Sequence, residues 1–147
     1  MEINFFLPLS MVMAFISYTL IAKWYMYPLM MKGSFNDVLT PILLFHSFRF
    51  VGLAFLIKGV TAESLDPRFA YPAAYGDLLA AFLALIAMAA LKLNWRSAYG
   101  WVWVFNMTGM LDLLYAVFKG IQLTPDGHLG AMYFIPTVVV PFLVLTY

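Results

Sequence analysis

The sequence predicts an all-α polytopic bundle of about five transmembrane helices, on three observations. Hydrophobic residues make up 65% of the 147-residue chain and charged residues 10%, where a soluble domain carries roughly 25% charged residues. Mean hydropathy is +0.91. The apolar residues fall into five blocks near the length of a membrane-crossing helix, about 20 residues, and within the blocks they do not alternate with polar ones. Strands of a membrane barrel would be about 10 residues long and strictly alternating. In lipid a lone span must be helical, because no solvent there satisfies its backbone. Five spans use most of residues 1–147, so the chain is read as a single domain.

Each span has its own boundaries. The first runs over residues 5–22 and extends toward Met30, with Lys23, Trp24, Tyr25 and Tyr27 as an interfacial anchor. Glu2 and Asn4 precede it without the positive flank and cleavage site of a signal peptide, so it is expected to be retained. A polar turn over 32–37 leads to the second span, 38–58, which contains His46 and Arg49. Residues 59–75, with Glu63, Asp66, Pro67, Arg68 and Pro72, form the longest polar connection. The third span, 76–91, is alanine-rich. A turn over 92–97 precedes the fourth span, 99–118, and Pro125-Asp126-Gly127 signals a turn before the fifth, 129–147. Lys/Arg counts in the short loops favour an outside N-terminus by four (Lys23, Lys32, Lys92, Arg96) to three (Lys58, Arg68, Lys119).

Composition excludes several classes. Without cysteine there is no disulfide framework, thiolate nucleophile, Cys-ligated metal or attached c-type haem. A net charge of +1 without a basic run makes nucleic acid an unsuitable partner. A second deep histidine for haem, a metal-spaced cluster, a P-loop, a nucleophile elbow and a dinucleotide fingerprint are all missing. No metal site is expected, and no cofactor follows from the residues.

What remains are ionisable groups where lipid-facing helices should be. Such groups are costly inside a span and mark functional sites by default. His46 and Arg49 are three apart and share a face that Gly52 continues. Arg49 is near mid-span and needs an anion, carbonyls or water. Asp112 is equally deep in its own span and is its best expected partner, either as a helix pin or as the counter-ion of a site. Asn106, Thr108, Asp112 and Tyr115 give the fourth span one polar side. Asp77 has two readings: a member of the site at its mouth, or a first-turn carboxylate on the positive end of a helix. Gly76, Ala80 and Ala84, with Ala87 close by, form a small-residue seam for close helix packing. The candidate ligand-binding set is His46, Arg49, Asp77, Asn106, Asp112 and Tyr115.

The pattern Arg49-Phe50-Val51-Gly52, the run from Asp66 to Asp77 with Phe69-Ala70-Tyr71-Pro72-Ala73 leading into Gly76-Asp77, Asn106 to Gly109 with Asp112, Ile135-Pro136 and Val140-Pro141-Phe142 resembles a group of small uncharacterised bacterial integral membrane proteins. The resemblance covers most of the chain after residue 45. It implies a helical bundle in a bacterial cytoplasmic membrane and no particular activity. Two positions depart from the pattern. Tyr75 stands where a tryptophan often precedes the Gly-Asp pair. Tyr147 stands where a histidine often closes the last span, which removes a possible ligand and weighs against metal or haem. A looser likeness in layout, through Arg49, Gly52, Phe55, Gly59 and Pro67, is to DoxX-type proteins.

Three functions fit these residues. The leading expectation is a membrane protein whose polar interior binds or transports a small anionic or amphipathic ligand. The second is a membrane-embedded enzyme on a lipid or quinone, with Asp112 or Asp77 as acid/base and His46 as its partner; whether the chain is an enzyme stays open. The third is a structural subunit whose charges pin helices and whose small-residue seam docks a partner, in a homo-oligomer or a larger membrane complex. All three take the lipid bilayer as surroundings.

Overall fold

A computed structural model describes residues 3–63, 65–123 and 130–147, with side chains from Phe5 onward. The Pro125-Asp126-Gly127 turn, His128 and the expected start of the fifth span at Leu129 lie outside the described residues. The described residues are helical apart from short connections, and they form no strand beyond an isolated bridge between Lys58 and Thr61. Four helical stretches are long and apolar enough to cross a membrane: Phe5–Lys32, Phe35–Leu56, Pro67–Lys92 and Ala98–Leu123. The fifth expected span is a shorter apolar segment, Gly130–Thr146.

Helix α1 (Ile3–Ile21) continues through a π-helical stretch, Ala22–Met26, into α2 (Tyr27–Lys32). The anchor residues Lys23, Trp24, Tyr25 and Tyr27 therefore lie within one long helix rather than after it. Helix α3 (Phe35–Ser47) starts at a capping box. The Ser34 N–H donates to Asp37 Oδ2 at 3.0 Å, and the Ser34 side chain accepts from the helix in return. From Phe48 to Leu56 the chain tightens into nine residues of 3₁₀-helix, long for a form used mostly in pieces of three or four residues.

Helix α4 (Pro67–Lys92) begins at Pro67, not at residue 76. Asp66 caps it, accepting from the Arg68 N–H at 2.8 Å, and Pro67 supplies the fixed φ of a first helical position. Hydrogen bonds from the Arg68 side chain and backbone hold the exposed Asp66 carboxyl below the usual carboxylate range. Pro72 lies inside the helix, two residues past the first ladder bond, from the Ala70 N–H to the Asp66 carbonyl at 3.0 Å, and it removes the donor that the Arg68 carbonyl would otherwise have. Asp77 consequently stands ten residues past Pro67, about 15 Å along the axis. Its reading as a first-turn dipole residue is overturned. Helix α5 (Ala98–Leu123) packs antiparallel beside α4 after a turn in which Asn94 takes a positive φ of 53°. The C-terminal segment is broken: a 3₁₀ turn at Gly130–Tyr133, a π-helical stretch at Ile135–Val139 that includes Pro136, and α6 (Val140–Thr146) with Pro141 at its start. The two prolines remove ladder donors, which prevents one regular helix.

Helix α4 is the central element, in contact with α3, the 3₁₀ stretch and α5. Its expected small-residue seam is at the centre of the packing: Ala80, Ala84, Ala87 and Ala90 are fully buried. Small side chains there let the neighbouring backbones approach. Two apolar clusters result. One gathers Leu43, Phe105 and Val102 on the alanine face. The other gathers Phe55, Phe69, Ala73, Ala74 and Met132. No described residue of α1 is buried, and α1 touches the rest chiefly through the C-terminal segment, for example Tyr18 against Phe142 with ring centroids 5.5 Å apart.

Ala84→Leu inserts a large side chain at a fully buried position of the packed alanine face and is expected to destabilise the fold by about 1–3 kcal/mol. Leu85→Ala, on the exposed face of the same helix, should change stability by less than about 0.5 kcal/mol. Thermal unfolding in one detergent compares the two; equal losses would show that the alanine face is not the packing seam.

Candidate functional site

The site lies between the two apolar clusters and is built around Arg49. The 3₁₀ stretch places it. Arg49, Gly52 and Phe55 are all buried, and a spacing of three keeps them on one line only when a turn takes three residues. In an α-helix the same spacing slips by about 60° per step, so Phe55 would sit about 120° away from Arg49.

Arg49 is 5% exposed and each of its three guanidinium nitrogens has an acceptor. Nε donates to Asp77 Oδ1 at 2.7 Å. Nη2 lies 2.6 Å from Asp77 Oδ1 and 2.6 Å from Asp112 Oδ2. Nη1 donates to the Gly109 carbonyl at 3.2 Å and to the Tyr147 hydroxyl. One side chain thus ties the 3₁₀ stretch, α4, α5 and the C-terminal segment together. Two carboxylates converge on one nitrogen, so the cluster holds two acidic groups for one base.

Three glycines make room for Arg49's partners. A Cβ on Gly52 would strike the Asp77 carboxylate, one on Gly76 the Asp112 carboxylate, and one on Gly109 the Tyr147 hydroxyl. Each partner therefore rests against bare backbone on a neighbouring element or turn, and the close approach requires glycine at all three seats.

His46, one turn before Arg49, is fully buried. Its Nε2 is 2.9 Å from Thr146 Oγ1, whose own hydrogen goes to the Phe142 carbonyl at 2.9 Å. Its other ring nitrogen, Nδ1, is buried and has no partner among the described residues. The ring packs against Tyr147, Phe105 and Phe142, with centroids 4.5, 5.0 and 5.8 Å away.

The expected site residues divide. Arg49, Asp77 and Asp112 come together, and His46 joins them through Tyr147. Asn106 is half-buried one turn before Gly109 and is not among Arg49's partners. Tyr115 faces outward, 44% exposed, with the Lys119 ammonium 6.0 Å above its ring. Tyr147 was not among the expected residues. Its only sequence signal was its position at the end of an apolar segment, where the resembled pattern often has histidine. Among the described residues no group of three or more His, Asp or Glu side chains is placed to hold a metal ion.

Beside the cluster lies a cavity of about 760 Å³, walled by α1, α3, the 3₁₀ stretch, α4, α5 and the C-terminal segment. Its lining is almost entirely apolar, and the charged side chains in it are Arg49 and Asp77. Fold and site together define a helical-bundle protein with an internal acid–base cluster opening on an apolar chamber. The chain belongs to a family defined by a domain of unknown function, DUF8737, which matches residues 6–147. That agrees with the expected kinship to an uncharacterised family and carries no link to DoxX-type proteins. No curated protein and no solved structure matches the chain.

Gly76→Ala drives a methyl group into the Asp112 carboxylate and is expected to cost about 1–3 kcal/mol, as overpacking does. Gly100→Ala meets nothing within 4 Å in the same bundle and should be neutral or stabilising by up to about 1 kcal/mol. Paired melting curves read the difference, and a harmless Gly76→Ala would disprove the seat.

Proposed function

We propose that the chain is an integral membrane protein that binds an amphipathic ligand from the bilayer. The ligand's apolar part occupies the 760 Å³ cavity and its polar end meets the Arg49–Asp77 wall. The observation that carries this reading is the placement of an otherwise apolar cavity against a buried charged cluster. Ligand pockets are mostly apolar, with a few fixed polar groups that orient what they hold. The volume also falls in the usual range for such pockets, roughly 300–1,000 Å³. Helix α1 is the outer wall and lines the cavity with Leu7, Met11, Ile21 and one residue with a polar tip, Tyr18; its backbone is satisfied within the helix, so entry past it exposes no polar backbone.

Native mass spectrometry of gently extracted protein should show a retained amphipath. Ala116→Trp and Ile42→Trp, which fill the cavity from two different helices, should lose it while keeping helical circular dichroism. Retention of the same mass by both folded variants would sink the reading.

The N-terminus is proposed to lie outside the membrane. The support is the charge bias of the connections: the turn from α2 to α3 and the turn from α4 to α5, with their flanks, carry Lys23, Lys32, Lys92 and Arg96, four of the basic residues that mark a cytoplasmic face. A cysteine-free chain makes this easy to test. In intact cells a membrane-impermeant maleimide should label Glu63→Cys and spare Ser97→Cys. The reverse pattern would invert the topology.

A further inference from the structure

Within that reading of the cavity, we propose that the amphipath carries a positively charged head, and that its arrival at Asp77 releases one proton held by the Asp77–Asp112 pair. The site is therefore one where an apolar organic cation exchanges for a proton.

The argument starts from available donors. Every guanidinium nitrogen of Arg49 is already engaged: Nε by Asp77, Nη1 by Gly109 and Tyr147, and Nη2 by Asp112 with Asp77 in ion-pair contact. An anionic head would find no free donor on Arg49 and would face two carboxylates. The second step is charge. The cluster holds one guanidinium and two carboxylates that meet at the same Nη2. Fully ionised, it would leave one negative charge uncompensated beside an apolar chamber, and such a charge is costly out of water. Two carboxylates sharing a site tend to hold one proton between them.

The groups that could offset this charge are few. From α3, His46 offers one partnered nitrogen, Nε2 at Thr146, and a doubly protonated ring would bury an unpaired N–H at Nδ1, so the ring is neutral. From the C-terminal segment, Tyr147 accepts from Arg49. From α1, Tyr18 is the titratable residue in the wall. None of these supplies a second positive charge. A proton does so when the cavity is empty of cation, and an organic cation can do so in its place.

The wall also suits a cation. Phe45, Phe48, Phe55, Phe134, Phe142 and Tyr18 line the cavity, and ring faces attract cations, most strongly where water is excluded. Asp77 lines this chamber and Asp112 stands behind Arg49, outside the wall. In the exchange no covalent bond other than O–H changes: the cation enters, one carboxylic O–H ionises, and the proton leaves to solvent, so the net charge of the site is conserved.

The test uses two ions of the same shape and opposite charge, tetraphenylphosphonium and tetraphenylborate, titrated calorimetrically into the full-length protein in buffers of different ionisation enthalpy. The expected result is that the phosphonium binds, with about one proton released per ion. Its affinity should rise roughly tenfold per pH unit while the pair is protonated and then level off. Tetraphenylborate should bind at least tenfold more weakly. Asp77→Asn and Asp112→Asn each leave one acid for one base, and each should abolish proton release. Two separate variants guard against the misfolding of either. Equal or tighter binding of tetraphenylborate, or phosphonium binding without proton release, would overturn cation exchange and leave amphipath binding standing. Failure of both ions to bind would also overturn it, and the retained mass in native spectrometry would then decide the broader reading.

Discussion

The guanidinium of Arg49 is the constraint on which the rest of the bundle depends. A buried cation without partners would cost more than a small helical protein can spare, so every element that reaches Arg49 must bring it an acceptor. Helix α4 brings Asp77, α5 brings Asp112 and the Gly109 carbonyl, and the C-terminal segment brings Tyr147. These contacts fix the registers of four segments at one depth. Helix α1 brings nothing to the cluster. It is free of that registration and forms the apolar outer wall of the cavity instead.

The same constraint explains the backbone. A run of 3₁₀-helix nine residues long is unusual, yet it aligns Arg49, Gly52 and Phe55. Arg49 then points at the cluster, Gly52 clears space for Asp77, and Phe55 closes the second apolar cluster against Phe69, with ring centroids 5.5 Å apart. Regular α geometry would rotate Phe55 out of that line. Hydrogen-bond quality in the helix has been given up for side-chain alignment, a trade that makes sense only where one buried charge dictates direction.

Much of this was legible in the sequence, in proportion to how local the signal is. Apolar blocks gave the helices, and the depth of Arg49 and Asp112 gave their pairing. The alanine spacing of α4 gave its packing face. Asp77 was misplaced because Pro72, Tyr71 and Tyr75 read as an interfacial loop, although Asp66-Pro67 carried the true start signal. Tyr115 was grouped with Asp112 on spacing alone. Three residues on an α-helix still leave about 60° between side chains, and packing put one inside and the other out. Tyr147 lies 98 positions from the Arg49 it bonds, and no local pattern encodes a contact of that range. The fifth span failed as a regular helix at Pro136 and Pro141, both visible, but the 3₁₀ and π turns that absorb them depend on the surrounding contacts.

Helix pin and ligand site need not be rival readings of these charges. A pin that serves packing alone is best made neutral, one base against one acid, because each unpaired buried charge carries its full desolvation cost. Here a second carboxylate has been added on a different helix, seated by its own glycine, with its partner Asp77 in the wall of a cavity. Packing alone does not call for that extra acid. Any group that neutralises Asp77 from the cavity side leaves Arg49 facing Asp112 as a one-to-one pair. Occupancy of the chamber and the balance of contacts among α4, α5 and the 3₁₀ stretch are then governed by the same guanidinium, and the excess acid is what couples them.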